Sequence, residues 1–453
     1  MSGARVGSAA SPPAAPTLVR VFGVRTLAAN VINNMVGSGI FLLPAAVAAI
    51  LGPSAVVAYL ACAVVIGLVA LCFAEVGSRV QASGGVYAYV EAAFGPCPGF
   101  LTGMLLVMAQ LLASAAVANV LVASLGALLP AAGGVVTRSA LLLVLYAGLA
   151  VVNARDVRAG ARLMESLTAA KIAPLVLLAI AGLFALRPEH LAGMHMPPLR
   201  DVGRASLVLF FAFLGVEGAL SSSGEVRNPA RTVPRAILLG LGSVVVLYAA
   251  LQAVSQGVLG PALSAHADAP LAATAERMFG GTGRALILAA AALSAFGYVS
   301  GDMLATPRVL FAFGRDGLLP ARLGAVHPRF RTPHVAVAAY ATLCCGLALS
   351  GTFTTLAVNS AVATLLLHLG CCLAVLQLRR RDVRADGPPF LIPGGPVVPL
   401  LACGVVVMLL ASAARTEFLV VGGMLAVASL VYLLRRRGRS SVLNKPGVAL
   451  PVE

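Results

Sequence analysis

Runs of roughly 20 apolar residues, enough to cross a bilayer, follow one another along nearly the whole chain, separated by short polar connections. Hydrocarbon offers no water to the backbone, so only helices, or strands closed into a barrel, can cross it. The runs are continuous rather than alternating, which favours helices. Composition agrees: of 453 residues, 60% are hydrophobic and 11% charged, whereas a soluble domain carries about 25% charged residues. The chain is therefore expected to be an all-α polytopic membrane protein.

Twelve transmembrane helices are expected, near 27–50, 54–77, 98–129, 138–154, 161–186, 204–224, 233–257, 283–313, 333–350, 354–378, 396–414 and 416–434. The connections predict one membrane domain, 26–434, between an N-terminal tail (1–25) and a basic C-terminal tail (435–453). Asn30–Pro44 is studded with polar residues, unlike the apolar core of a leader peptide, so no cleavable leader is expected. Arg138, Arg187, Arg200, Arg204, Arg277, Arg284 and Arg415 fall on one side of this arrangement, and every other basic residue except the buried Lys171 falls on the other. Cytoplasmic loops carry the excess of Lys and Arg, so both termini are expected in the cytoplasm of a plasma-membrane protein. The same rule accounts for a net charge of +16 without nucleic acid. The eight cysteines lie mostly in apolar spans and include no C-x-x-C, so they read as small packing residues. His190 and His195 share one loop, too little for a metal site, and neither metal nor cofactor is expected.

Two spans contain residues that an uninterrupted helix disfavours. "NMVGSGIFLLP" (Asn34–Pro44) places Gly37, Ser38 and Gly39 in a row, and each interior Gly costs a helix about 1 kcal/mol relative to Ala. "FFAFLGVEGALSSSGEVRNP" (Phe210–Pro229) puts Gly215, Glu217 and Gly218 mid-span. One such cluster would read as close helix packing. Two polar-flanked clusters five helices apart point instead to broken helices around a midplane binding site. Amides freed at a half-helix start favour an anion, and freed carbonyls favour a cation. That pairing suits an α-amino acid.

The stretches "GSGIFLLP", "FAFLGVE…GEVRNPARTVPRAI" (Phe211–Ile237) and "RVLFAFGRDGLLP" (Arg308–Pro320) resemble the amino acid–polyamine–organocation transporters, as do "AEVGSRVQASGGVYAYVEAAFG" and "LRRRDVRADGPPFLIPGGPVVP". The likeness runs from Arg25 to Pro399. It implies a leucine-transporter-type 5+5 inverted repeat, with 26–186 and 204–378 as the two halves, helices 1 and 6 broken, and two extra helices over 396–434. It further implies that the amides of Gly37, Ser38 and Gly39 hold a substrate carboxylate. The carbonyls of Met35, Phe211 and Leu214 would take its ammonium. Phe211 matches an aromatic lid, where several members have Trp.

Charge inside a span is costly enough to make function the first hypothesis. Lys171 lies deep in the fifth span of a chain with only one other lysine, Lys445. A desolvated Lys can release its proton where Arg cannot. The resemblance implies a lysine standing in for a sodium ion beside the first break; titrating group and fixed cation both remain open, and both dispense with sodium. Glu217 has three roles open: binding a cationic group, sensing protons, or tying loose amides, the last favoured by the resemblance. Asp302 sits on a stripe with Ser294, Tyr298 and Thr306, either recognising a cationic group or, preferably, pairing with a neighbouring helix. For Ser360–Thr364–His368 a hydrogen-bonded helix contact is the first expectation and a proton role for His368 the second; for Asn30–Asn34–Ser38 and Gln110–Ser114, interhelical hydrogen bonding comes first and pocket lining second. Glu225, Arg227, Arg308, Arg315 and Asp316 are candidates for a cytoplasmic gate.

These features predict a sodium-independent secondary amino acid transporter working by alternating access, by proton symport or exchange. Antiport of polyamines or cationic amino acids is the alternative. No nucleophile, base and metal ligands converge as an enzyme requires, and no continuous polar path marks a channel.

Overall fold

The computed structural model describes residues 23–80, 86–129, 134–155, 158–192, 195–216, 229–384 and 388–443. Among these residues it is helical throughout, with no strand. The first apolar run is two helices, α1 (Val24–Met35) and α2 (Gly39–Leu51). After α2 the chain turns at Gly52, where φ is +55°, through one 3-10 turn (Gly52–Ala55) into α3 (Val56–Arg79). The α2–α3 stretch is 41 residues long, about 60 Å at 1.5 Å per residue and twice a bilayer core. The turn at Gly52 divides it into α2, about 20 Å, and α3, about 36 Å, so α3 is long enough for one crossing and α2 only together with α1.

A short helix that apolar periodicity did not suggest, α4 (Val86–Phe94), precedes α5 (Pro96–Leu128). Then come α6 (Val135–Arg155), α7 (Arg158–Leu183), α8 (Leu199–Phe210), α9 (Pro229–Leu259), α10 (Pro270–Arg315), α11 (His334–Ser350), α12 (Phe353–Arg380), α13 (Val397–Ala411) and α14 (Arg415–Leu443). Helix α5 is the axis: 89% of its apolar window is buried, against 11% for α6, and α4, α10, α11 and α12 all pack on it. Helices apolar all round suit either a protein core or a lipid face, so burial rather than composition separates these two.

Seven described helical stretches are long and apolar enough to cross a membrane, and Lys171–Leu183, His334–Ser350 and Val397–Ala411 are shorter apolar helices. This count among the described residues is coarser than the twelve expected, and several apolar runs are interrupted. The first run divides at 36–38, and α8 passes into a 3-10 turn (Phe211–Phe213) rather than running on. Helix α10 also bends sharply at Gly280, φ 66° and ψ −158°, a conformation open to Gly. Its far end is packed by Phe313, whose ring meets Phe100 and Tyr87 at 5.3 and 5.7 Å.

Candidate binding site at the two helix breaks

The break after α1 begins where helical hydrogen bonding gives out. The Val36 amide still donates to Ile32 O at 2.8 Å, but the Gly37 amide doubles back to Met35 O at 2.8 Å. Helix α2 restarts from Ser38, and the first amides of any helix lack intrahelical partners. Ser38 Oγ is fully buried and has no hydrogen-bond partner among the described residues. The second break follows α8. Leu214 is extended (ψ 152°), and Gly215 has φ +121°.

The two interruptions touch. A Cβ on Gly215 would lie 2.5 Å from Asn34 O and 3.1 Å from Met35 N. A Cβ on Gly39 would lie 3.1 Å from Ala212 Cα and 3.3 Å from Phe211 Cδ1. Small residues at both places let one backbone rest on the other. Phe211 is buried over Gly39 and meets the Phe353 ring edge-on at 5.7 Å.

Hydrogen bonds tie this junction to helices outside it. Lys171 Nζ, on α7, donates to Asn33 O at 2.8 Å, and its side chain is 9% exposed. It sits at the C-terminal end of α1, where the helix dipole favours a cation. Tyr248, on α9, was not singled out in the sequence. Its hydroxyl reaches Met35 O at 2.8 Å and Ala212 O at 3.2 Å. One hydroxyl proton serves one carbonyl at a time, so Tyr248 stands between the breaks and can favour either. A sequence signal did exist: Tyr248, Gln252 and Gln256 recur every four residues as a polar stripe, and Tyr59 donates to Gln252 Oε1 at 3.1 Å.

Met35 O accepts from the Gly37 amide and shares the one Tyr248 hydroxyl proton with Ala212 O. In this conformation the Gly37 amide is engaged, and Met35 O regains an acceptor site when the Tyr248 proton turns to Ala212 O. Ser38 and Gly39 remain at the start of α2, and Phe211 and Leu214 at the end of the 3-10 turn, joined by a long 3.4 Å contact from Leu214 N to Phe211 O. Glu217, with Gly218, Glu225 and Arg227, lies outside the described residues.

Asp302 belongs to a different cluster. Thr306 Oγ1 and the Tyr340 hydroxyl each donate to it at 2.6 Å, and Gln110 Nε2 lies at 3.5 Å. Tyr298 donates to Gln110 Oε1 at 3.4 Å, and Ser114 meets the Tyr146 hydroxyl. Asp302 therefore joins α10 to α11 and α5, the helix pairing that the sequence favoured. Ser360 likewise donates to Ala109 O across α12 and α5 at 2.8 Å, whereas Asn34 donates to Asn30 Oδ1 at 3.4 Å within α1, not between helices as expected.

Of the gate candidates, Glu225 and Arg227 lie outside the described residues. Arg315 pairs with its exposed neighbour Asp316 at 2.9 Å. Buried charge is instead concentrated at Glu75, fully enclosed, which receives Arg79 at 3.0 Å, Arg379 Nε at 2.7 Å and the Ile392 amide at 3.1 Å. Two of the quoted stretches, after α3 and after α12, thus meet through one carboxylate. Outside the spans, Arg384 holds the exposed Asp382 carboxyl below its ordinary range.

A family model for amino acid permeases matches residues 22–434. The chain is 29% identical to a methylthioribose transporter of Bacillus subtilis (strain 168), over 95% of this chain and 96% of that protein. It is 30% identical to a branched-chain amino acid permease of Lactococcus lactis, over 84% and 87%. A serine/threonine exchanger of Bacillus subtilis is 28% identical over 82% and 86%. Broken apolar helices, buried polar junctions and this end-to-end similarity agree, and the chain belongs to the amino acid permease family of the amino acid–polyamine–organocation superfamily.

Proposed function

We propose that the protein is a sodium-independent secondary transporter of neutral amino acids in the plasma membrane, with both termini cytoplasmic. Its twelve spans would form two inverted five-helix repeats plus two helices, alternating access around the paired breaks. The contact of the two breaks, with Lys171 on Asn33 O, carries this reading. The N-terminus of α2 offers amides to a carboxylate, and the carbonyl ends of the other half-helices offer a place for an ammonium. Lys171 supplies at α1 the positive charge that a sodium ion would otherwise supply. A cationic substrate needs a carboxylate at the breaks, and among the described residues the candidate Asp302 is instead engaged by Thr306, Tyr340 and Gln110, which favours neutral amino acids.

The test is uptake into proteoliposomes without sodium, under an inward proton gradient. The panel comprises branched-chain amino acids, serine, threonine, arginine, putrescine and methylthioribose. Accumulation of a neutral amino acid that a protonophore abolishes establishes symport, and uptake only after preloading establishes exchange. Uptake of methylthioribose, arginine or putrescine but of no neutral amino acid overturns the proposal.

A further inference from the structure

At the end of the bundle that carries the α7–α8 and α9–α10 connections, two arginines converge on one cavity of about 360 Å³. They are Arg187 and Arg277, and the remaining wall is apolar: Phe184, Val258, Met278 and Phe279. Phe184 is 89% exposed and Phe279 53% exposed. The apolar helix Lys171–Leu183 has just ended here, and Val258 is among the last residues of α9. The cavity thus lies where hydrocarbon gives way to headgroups.

Both arginines are positioned by backbone. The Arg187 amide donates to Gly257 O at 3.2 Å, and His190 Nδ1 bonds the same carbonyl at 2.8 Å. Arg277 rides on the short piece of α10 before Gly280, and the φ of 66° there turns Arg277, Met278 and Phe279 against the ends of α7 and α9. Among the described residues neither guanidinium has an ion pair, and the adjacent Glu276 is taken by Arg284 at 3.2 Å. A lone Arg at a span end merely snorkels to water. Two that meet beside exposed aromatic rings make an anion site with an apolar floor. Planar guanidiniums match phosphate oxygens two at a time.

We propose that this cavity binds an anionic phospholipid, with Arg187 and Arg277 on its phosphate and an acyl chain lying over Phe184 and Phe279. The full-length protein would be titrated with phosphatidylglycerol in phosphatidylcholine nanodiscs, and the retained lipid counted by native mass spectrometry. Each Arg near the surface is worth about fivefold in affinity, so Arg187→Gln with Arg277→Gln is expected to weaken retention roughly thirtyfold. Arg200→Gln, outside the cavity and away from Glu276, should leave it unchanged. In parallel, a photoactivatable phosphatidylglycerol on the unmodified protein should label peptides containing 184–187 and 277–279, which keeps the test valid if the double variant misfolds. Equal retention by the double variant, labelling elsewhere only, or displacement of the lipid by millimolar inorganic phosphate with equal stabilisation would each overturn the proposal.

Discussion

At the residue scale, single atoms hold the junction of the breaks. Gly215→Ala adds a Cβ 2.5 Å from Asn34 O at a φ of +121°. Such strain costs about 1–3 kcal/mol, so the variant should melt earlier in detergent and transport poorly. Tyr248→Phe leaves Met35 O or Ala212 O without its donor, at about 1–3 kcal/mol. If Tyr248 biases the two breaks, this variant should reach the membrane folded yet show a KM for uptake shifted by about tenfold, since 1.4 kcal/mol is a factor of ten. Lys171→Met removes the cation from Asn33 O. It is expected to abolish gradient-driven accumulation in proteoliposomes, and normal accumulation would dismiss Lys171 from the mechanism.

At the scale of elements, Glu75 joins α3 to α12 and to the segment that follows α12. Removing one partner of a buried ion cluster costs about 3–5 kcal/mol, because the charges left behind are uncompensated. Glu75→Gln should therefore lower the melting temperature more than Glu75→Gln combined with Arg379→Gln, read by thermal denaturation of the purified protein. The sequence displayed this link only in part. Glu75 and Arg79 stand four apart, a helical pairing visible in any reading, but Arg379 is some three hundred positions away and reaches Glu75 by packing alone. The same holds for Tyr248, whose neighbours on α1 and in the 3-10 turn after α8 belong to distant stretches. Where partner and signal share one helix face, as for Asp302 and Thr306, periodicity found them.

For the whole molecule, apolar run length and the two glycine clusters identified a helical membrane protein with interrupted helices. Replacement of sodium by choline should leave uptake unchanged within about twofold, less than 0.5 kcal/mol, if Lys171 stands where a sodium ion would. The sequence by itself determined the solvent, the helical state and the places where helices break, because these follow from the cost of exposing backbone and charge to lipid. Tertiary structure alone decided what meets at the breaks. It set Gly215 on the end of α1, turned Gly37 onto Met35 O, and brought Tyr248 and Lys171 to carbonyls of the same helix. A carbonyl freed by a break is a property of local sequence, whereas which donor fills it depends on how the helices pack.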